Sequence, residues 1–232
     1  MTDPLVQRLR KLDACAVSDA LDKLGLAGAI TGLQQRSGPD QGGGRIAGRA
    51  VTMKVGPGER PPGPTVHLGC RAIESAGPDH VVVVEQRSGV EAGCWGGLLT
   101  LGAKVRGTEG VVADGPLRDV DEAIAYGFPV FARSLTSRTA RGRVVELGTN
   151  VPVTIGAGPD AGGQVVVHPG DYVLADRSAV IFIAAAEIER VLQAAEDIVA
   201  KEAAMAQAIR AGTPIAEVMG GNYEHMLQKD GR

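Results

Sequence analysis

This sequence has few aromatic residues and few cysteines, and neither charge is in large excess. Each of these features excludes a class of function. Aromatic side chains make up 3% of the 232 residues, so sites that stack nucleobases or other flat rings are not expected. Lysine and arginine number 24 against 27 aspartate and glutamate residues, which gives a net charge of -3. This near-neutral balance, without basic runs, argues against a protein that binds nucleic acid through its phosphates.

Long apolar runs are also missing. No segment approaches the roughly 18 apolar residues that a membrane-spanning helix needs, and the first twenty residues mix charged with apolar side chains. We therefore expect neither a membrane span nor a secretory signal. Three scattered cysteines show no metal-binding spacing and leave an odd thiol, which fits a reducing, cytoplasmic location. They are Cys15, Cys70 and Cys94.

Glycine, in contrast, is abundant. The 33 glycines and 13 prolines remain below the roughly 25–30% that marks low-complexity chains. The glycines lie between short apolar runs, which predicts turns between strands and places of close backbone approach. Residues 34–44 are predicted to form a loop. Apolar runs such as 81–85 and 110–114 predict buried strands. Apolar spacing of three to four residues predicts helices at 5–25, 67–76, 98–106, 120–126 and 187–211.

This order of elements predicts one α/β domain. An initial helix is followed by β–α–β units and consecutive short strands, and a long helix closes the series. The composition does not change along the chain, and we find neither a repeat nor a linker. We place the domain at residues 1–212 and a tail without periodicity at 213–232.

A glycine-rich stretch after a predicted strand matches the dinucleotide-binding pattern G-x-G-x-x-A. It begins at Gly156 and ends at Ala161. That fingerprint requires a helix to start within the glycines, whereas here the apolar run 164–167 predicts another strand. We interpret the stretch as the loop of a β-hairpin.

A second glycine pair precedes a predicted helix. Gly96 and Gly97 stand directly before Leu98 and Leu99. Free backbone N–H groups and the positive end of the dipole make a helix N-terminus attractive to a small anion. The alternative is that the two glycines only permit tight packing beside Trp95.

An Arg–Asp pair lies between a predicted strand and the next helix. Loops at the carboxyl ends of strands are where α/β folds bind ligands. The planar guanidinium of Arg118 suits a carboxylate, and the Asp119 carboxylate suits a hard divalent cation. The alternative is that Asp119 and Glu122 form a helix capping box.

The glycine pair and the Arg–Asp pair can meet at one edge of the sheet. Leu99 and Arg118 are nineteen residues apart and are joined by one helix and one strand. Such a site would combine an anion cradle, a guanidinium and a metal-binding carboxylate. A 2-oxo acid needs this set, because its carboxylate must be bound and the enolate formed from it must be stabilised.

Glu202 interrupts the apolar stripe of the last predicted helix. It follows Ala195 by seven residues and precedes Ala206 by four. A carboxylate on a buried face is costly unless it is paired or hydrated. Either the side chain reaches solvent or pairs with a cation such as Lys201, or it has a function.

A series of ordered segments extends over roughly residues 13–212. The segments are 18–21 (SDAL), 68–85 (LGCRAIESAGPDHVVVVE), 95–122 (WGGLLTLGAKVRGTEGVVADGPLRDVDE), 127–133 (GFPVFAR), 168–176 (HPGDYVLAD) and 201–202 (KE). In this series the sequence resembles the RraA-like family, which includes class II 4-hydroxy-4-methyl-2-oxoglutarate/4-carboxy-4-hydroxy-2-oxoadipate aldolases, oxaloacetate decarboxylases and regulators of ribonuclease E activity.

The resemblance implies a fold, an assembly and site residues. The fold would be a single-domain α-β-β-α sandwich in a homotrimer or hexamer, with active sites at subunit interfaces. Arg118 would bind the carboxylate of the pyruvyl part, and Asp119 would ligate Mg²⁺ or Mn²⁺ together with waters and substrate oxygens. The amides of Leu98 and Leu99 would receive the substrate carboxylate or oxo oxygen. Glu202 would reach the site of a neighbouring subunit and assist proton transfer.

One position departs from the aldolases of this family. They usually carry Asp or Glu directly before the Leu–Leu pair, where this chain has Gly97. The function predicted first is a divalent-metal-dependent carbon–carbon lyase on small 2-oxo dicarboxylates. The alternative is a non-catalytic binding protein similar to the ribonuclease E regulators, which retain the Arg–Asp pair.

Overall fold

Short strands dominate the middle of the chain, and helices lie at both ends and between the central strands. The structure is a computed structural model that describes residues 2–39, 44–64, 66–158 and 162–220. Its helices are α1 (Pro4–Leu9), α2 (Ala14–Leu24), α3 (Cys70–Ser75), α4 (Gly97–Val105), α5 (Val120–Ala125), α6 (Ile188–Arg210) and α7 (Ile215–Val218). Its strands are β1 (Ala29–Ile30), β2 (Gln34–Ser37), β3 (Ile46–Gly56), β4 (His80–Glu85), β5 (Gly110–Leu117), β6 (Val130–Leu135), β7 (Val145–Thr149), β8 (Val153–Gly158), β9 (Gly163–Val167), β10 (Tyr172–Ala175) and β11 (Val180–Ile183).

The main sheet is strongly curled. Its strand order is β1-β11-β10-β3-β4-β5-β6-β2, with β7 paired to β3. The strands β3, β4, β5 and β6 run parallel to one another. The edge strands β1 and β2 are separated in sequence only by residues 31–33. Because three residues span about 10 Å at most, the two edges must lie close together, which requires the sheet to curl.

Helices cover the outer face of the curled sheet and a β-hairpin fills its inner face. Outside β3–β6, the helices α3, α4 and α5 pack around Trp95 and the valines of β4. Outside β10 and β11, the core is formed with α1, α2 and α6. The hairpin β8–β9 packs its apolar side chains against the inner face. The predicted single α/β domain with an α-β-β-α arrangement is thus confirmed.

Two carboxylates of the main sheet hold the hairpin. The N–H of Thr154 donates to Glu85 Oε2 at 2.7 Å, and the N–H of Gly156 donates to Asp114 Oδ2 at 2.7 Å. These bonds satisfy backbone donors of β8 on the edge that faces away from β9. The hairpin predicted around the glycine-rich stretch is confirmed, although residues 159–161 lie outside the described part of the chain.

Two predictions from periodicity need correction. The helix predicted at 5–25 is two helices, because the side chain of Asp13 accepts the N–H of Ala16 and starts α2 after a break. The loop predicted at 34–44 begins with the strand β2, whose polar sequence pairs with β6; residues 40–43 are not described. The tail contributes α7 before the description ends at residue 220, and the boundary at 212 stays a prediction. Among the described helices, none is both long and apolar enough to cross a membrane.

Candidate functional site

The loop before α4 pairs with the last residues of β5, and this pairing builds the candidate site. The N–H of Cys94 donates to the carbonyl of Pro116 at 2.9 Å, and the N–H of Arg118 donates to the carbonyl of Trp95 at 3.0 Å. Two backbone hydrogen bonds therefore bring the N-terminus of α4 next to the Arg–Asp pair. The juxtaposition expected from the spacing in the sequence is present.

Asp119 is held in a strained backbone conformation that directs its carboxylate at α4. Its φ and ψ are 57° and 41°, in the left-handed region, which few residues other than glycine adopt. Its Oδ2 accepts the N–H of Gly97 at 3.1 Å, and its Oδ1 accepts Nε–H of Arg118 at 3.2 Å. Within the described residues it makes no side-chain bond to the first turn of α5. The capping-box alternative is therefore wrong, and the carboxylate is fixed by a different helix.

The glycines of this loop make room for the charged side chains. A Cβ at position 96 would lie 2.9 Å from Asp119 Oδ2, and a Cβ at position 97 would lie 1.9 Å from Glu122 Oε2. The aliphatic stem of Arg118 would meet a Cβ at position 93 at 3.0 Å. Trp95, the neighbour of Gly96 in the chain, is 1% exposed, whereas the atoms nearest to a Cβ at position 97 belong to Glu122 and Asp119. The contacts of Gly97 therefore favour a role beside the carboxylates, and packing beside Trp95 stays an alternative for Gly96.

Glu122 borders the candidate site at Gly97, although it is not among the residues that line the pocket, and the sequence did not predict this position. Its carboxylate occupies the space next to Gly97, where the aldolases of the resembled family carry an acid on the preceding helix. The signal in the sequence was its position three residues after Asp119, which equally indicates a helix cap. The Glu122 carboxylate lies beside Gly97 at the start of α4, and spacing alone does not reveal this contact.

Unpaired donors converge on a pocket of about 330 Å³ beside these carboxylates. Within the described part of the chain, the amides of Leu98 and Leu99 have no hydrogen-bond partner, and neither do the terminal nitrogens of Arg118. The Leu98 side chain is 83% exposed. The first turn of α4 and the guanidinium can therefore receive a carboxylate. Leu98, Leu99, Arg118, Asp119 and both glycines of the pair line the pocket.

Glu202 lies outside this pocket in the same chain. The stripe that α6 buries ends at Ile198, so Glu202 is exposed in the single chain, in line with the alternative that its side chain reaches solvent. Partial burial raises the pKa of the Glu202 carboxyl, and the negative charges of Asp13 and Asp19 raise it further. A role in the site therefore requires a second copy of the chain.

The acidic groups of the site fit a hydrated divalent cation. No cluster of three or more His, Cys, Asp or Glu able to hold a metal occurs among the described residues. Mg²⁺ retains several waters and is commonly bound through one or two carboxylates plus substrate oxygens. The Asp119 side chain is 33% exposed and Glu122 lies beside it, so the donor set suits such an ion and does not suit a metal enclosed by protein ligands.

Several named proteins are similar to this chain over most of its length. It is 26% identical over 213 residues to the protein DlpA of Legionella pneumophila, which covers 92% of this chain and 33% of DlpA. The chain thus spans about a third of that relative's length. It is also 28% identical, over 88% of both chains, to a Halalkalibacterium halodurans protein provisionally named a 4-hydroxy-4-methyl-2-oxoglutarate aldolase.

A solved structure and a family model agree with these relatives. The structure of Streptomyces coelicolor RraAS2, described as an unusual member of the RNase ES inhibitor RraA family, matches with a TM-score of 0.70 at 24% identity. The match covers 86% of this chain and 94% of RraAS2, and it shows a shared fold. The family model for RraA-like proteins, described as Aldolase/RraA, matches residues 14–182. This chain therefore belongs to the RraA-like family.

Proposed function

We propose that this protein is a divalent-metal-dependent carbon–carbon lyase that releases pyruvate from a small 2-oxo acid. The observation that carries the proposal is the convergence of Asp119, Arg118 and two unpaired helix amides on one pocket. The named aldolase relative supports this class of reaction. Retro-aldol cleavage of a 4-hydroxy-2-oxo acid and decarboxylation of oxaloacetate yield the same pyruvate enolate, so one site serves both.

Each residue of the site has a distinct task in this proposal. The guanidinium of Arg118 and the amides of Leu98 and Leu99 bind and orient the carboxylate next to the oxo group. Asp119 would hold Mg²⁺ or Mn²⁺, and Glu122, beside Gly97, would support this carboxylate site. When bound, such an ion supplies a Lewis acid that stabilises negative charge on the oxo oxygen. The hydrogen bond from Gly97 and the strained turn keep the Asp119 carboxylate in place without rearrangement during the reaction.

A second copy of the chain supplies the proton-transfer group in this proposal. The α4 face carries Leu98, Leu101 and Val105, which are 83%, 38% and 79% exposed. Apolar residues at this spacing share one side of a helix, and an exposed stripe of this kind is typical of a subunit interface. Since it begins at the pocket, we infer a homotrimer or hexamer in which Glu202 of a neighbouring copy reaches the substrate. The three free cysteines support a cytoplasmic location.

The test is pyruvate release by an Asp119→Ala variant with added Mg²⁺. Substrates are oxaloacetate and 4-hydroxy-4-methyl-2-oxoglutarate, and pyruvate is followed with lactate dehydrogenase. We expect wild type to release pyruvate and the variant to lose at least about a hundredfold in kcat/KM, since it lacks the direct metal ligand. Asp121→Ala is the matched control, because Asp121 is an exposed carboxylate on the same helix. Undiminished turnover by Asp119→Ala would contradict the assignment.

The regulator alternative makes a different prediction for the same preparation. A protein that acts by masking a partner needs no metal and would be captured by immobilised ribonuclease E without turning over either substrate. The absence of an acid at position 97 was its support in the sequence, and Glu122 beside Gly97 weakens that support. Binding to ribonuclease E without pyruvate release would favour the regulator.

A further inference from the structure

The loop that follows β6 contributes a second cationic group to the pocket. Residues 136–143 contain the three arginines 138, 141 and 143, and only Arg141 is among the residues that line the pocket. The anion-binding groups described above, Arg118 and the amides of Leu98 and Leu99, do not belong to this loop. The loop therefore offers a cationic group for a different part of a ligand in the same pocket.

The fold fixes this loop in place. The N–H of Thr136 donates to the carbonyl of Leu117 at 2.9 Å, and the N–H of Gly93 donates to the carbonyl of Arg138 at 2.9 Å. Ala140 is 6% exposed and belongs to the core that contains Trp95. The residues on either side of Ala140 are consequently presented to the pocket by an anchored backbone.

The three arginines differ in what they contact. Arg138 forms an ion pair with Glu91 at 3.2 Å, and Arg143 donates to the carbonyl of Thr139 at 3.2 Å. The guanidinium of Arg141 is exposed and has no partner among the described residues. The Arg141 guanidinium, which lines the pocket and is not engaged by the protein as its two neighbours are, is free to bind an anionic group of a ligand.

His67 also lines the pocket and is exposed, but it does not offer a second donor to an anion. Its Nδ1 lies 2.8 Å from the Leu68 carbonyl, and a neutral imidazole that donates from Nδ1 has only an acceptor at Nε2. The one acidic side chain among the pocket residues is Asp119, against the cations Arg118 and Arg141. When one carboxylate of a ligand is bound at Arg118, the positive charge of Arg141 therefore remains available for a second carboxylate.

We infer that Arg141 is a specificity-determining residue that binds the distal carboxylate of the substrate. The ligand class is thus a dianion, a 2-oxo acid with a second carboxylate, and a monocarboxylate such as pyruvate fills only the proximal half. The inference rests on the proposed function for the identity of the proximal group. It adds a residue that selects among substrates of that site.

The experiment compares two unreactive ligands that differ only in the distal carboxylate. Malate and lactate are the reduced forms of oxaloacetate and pyruvate, and their affinities are measured by titration calorimetry with Mg²⁺ present. We expect wild type to bind malate at least about tenfold more tightly than lactate, since a charge-assisted hydrogen bond contributes on this scale. Arg141→Ala should abolish the preference while keeping the affinity for lactate.

Arg143→Ala is the matched control, because it removes the same charge from the same loop without touching the pocket. It should retain the preference for malate. An unchanged preference in Arg141→Ala overturns the inference, and so does an equal loss in Arg143→Ala or a parallel loss of lactate binding. Deuterium exchange into the methyl group of pyruvate is measured on the same proteins. If wild type shows no exchange, the proposed lyase fails, while the malate comparison still decides the role of Arg141.

Discussion

At the scale of single residues, the contact between Gly97 and the Glu122 carboxylate sets the arrangement of acidic groups beside the pocket. The aldolases that the sequence resembles usually have an acid at position 97, whereas here the Glu122 carboxylate reaches the same place from α5. A Cβ at position 97 would lie 1.9 Å from Oε2 at the end of the Glu122 side chain. An acid at position 97 would therefore displace the Glu122 carboxylate from this place.

Moving the carboxylate from position 122 to position 97 tests whether Glu122 contributes to catalysis. We expect Glu122→Ala to reduce kcat by about tenfold to a hundredfold, as is usual for a group that supports a metal ligand. The double variant Gly97→Asp/Glu122→Ala should regain part of this loss, because it restores a carboxylate in the vacated space. Steady-state pyruvate release with Mg²⁺ measures both effects. Full activity of Glu122→Ala would show that the contact has no role in catalysis.

The sequence predicted some of these residues and not others for a physical reason. Arg118 and Asp119 follow an apolar strand, so the edge on which they lie could be predicted from the pattern. The proximity of Glu122 to Gly97 is a tertiary contact between α5 and α4, and the positive φ of Asp119 is likewise not encoded in the spacing. Arg141 lies in a loop without periodicity, and its separation from its two paired neighbours is visible only in three dimensions.

At the scale of elements, the hairpin β8–β9 is held by a buried carboxylate that pairs with a half-buried arginine. Asp114 is 1% exposed, contacts Arg133 and accepts the N–H of Gly156. One terminal nitrogen of Arg133 is already buried without a partner. Loss of the carboxylate would leave both this cation and a backbone donor without compensation.

Asp114→Ala should therefore destabilise the protein by about 3 kcal/mol. Asp114→Asn should cost less, because an amide oxygen can still accept the N–H of Gly156. Asp121→Ala, at an exposed position, should change the free energy of unfolding by less than about 0.5 kcal/mol. Urea unfolding followed by circular dichroism measures all three. Equal stability of Asp114→Ala and Asp121→Ala would contradict this account of the hairpin.

The ion pair Arg8–Glu196 joins α1 to α6, and its contribution to the stability of the protein depends on pH. Nε and a terminal nitrogen of Arg8 donate to the two carboxylate oxygens at 2.9 and 2.7 Å. The hydrogen bonds from Arg8 lower the pKa of Glu196. A lowered folded-state pKa means that the stabilisation is present above the unfolded-state value of about 4.3 and is lost as the pH falls through the folded-state value.

We expect Glu196→Gln to lower the free energy of unfolding at pH 7 by less than about 1 kcal/mol, since both side chains are partly exposed and screened by solvent. The difference from wild type should shrink as the pH is lowered below about 4. In an Arg8→Met background, Glu196→Gln should have no effect at either pH. A difference that grows towards acid pH would show that the sign is wrong.

At the scale of elements, the sequence predicted which segments form strands and helices better than where they end. The apolar runs of β4, β5 and β10 are buried on both sides and could be recognised directly. The strand β2 could not, because its sequence QQRS is polar and only its pairing with β6 makes it a strand. The break between α1 and α2 depends on the cap at Asp13, which the continuous apolar spacing concealed.

At the scale of the whole molecule, one chain holds an incomplete set of the proposed catalytic groups. Arg118 and Asp119 line the pocket, whereas Glu202 lies on the exposed second half of α6. The apolar stripe from Leu98 to Val105 begins at the same pocket. The expectation of shared active sites, which came from the family resemblance, therefore makes a prediction about mixed assemblies.

Inactive subunits should complement one another. Co-expressed Asp119→Ala and Glu202→Ala chains should reach about one quarter of wild-type activity, because random assembly in a cyclic oligomer leaves one interface in four with both residues intact. Asp119→Ala mixed with the double variant Asp119→Ala/Glu202→Ala is the matched control and should stay inactive. Native mass spectrometry verifies that mixed assemblies form. Inactivity of the verified complementary mixture would exclude shared sites.

The most direct test of the central claim is the exchange of pyruvate methyl protons in D₂O, followed by proton NMR. Exchange requires the enolate that retro-aldol cleavage and decarboxylation have in common, and it is independent of the identity of the physiological substrate. We predict rapid loss of the methyl signal with wild type and Mg²⁺, and none above background with EDTA or with Asp119→Ala. Absence of exchange in wild type with Mg²⁺, or equal exchange in Asp119→Ala, would contradict a metal-dependent lyase at this site.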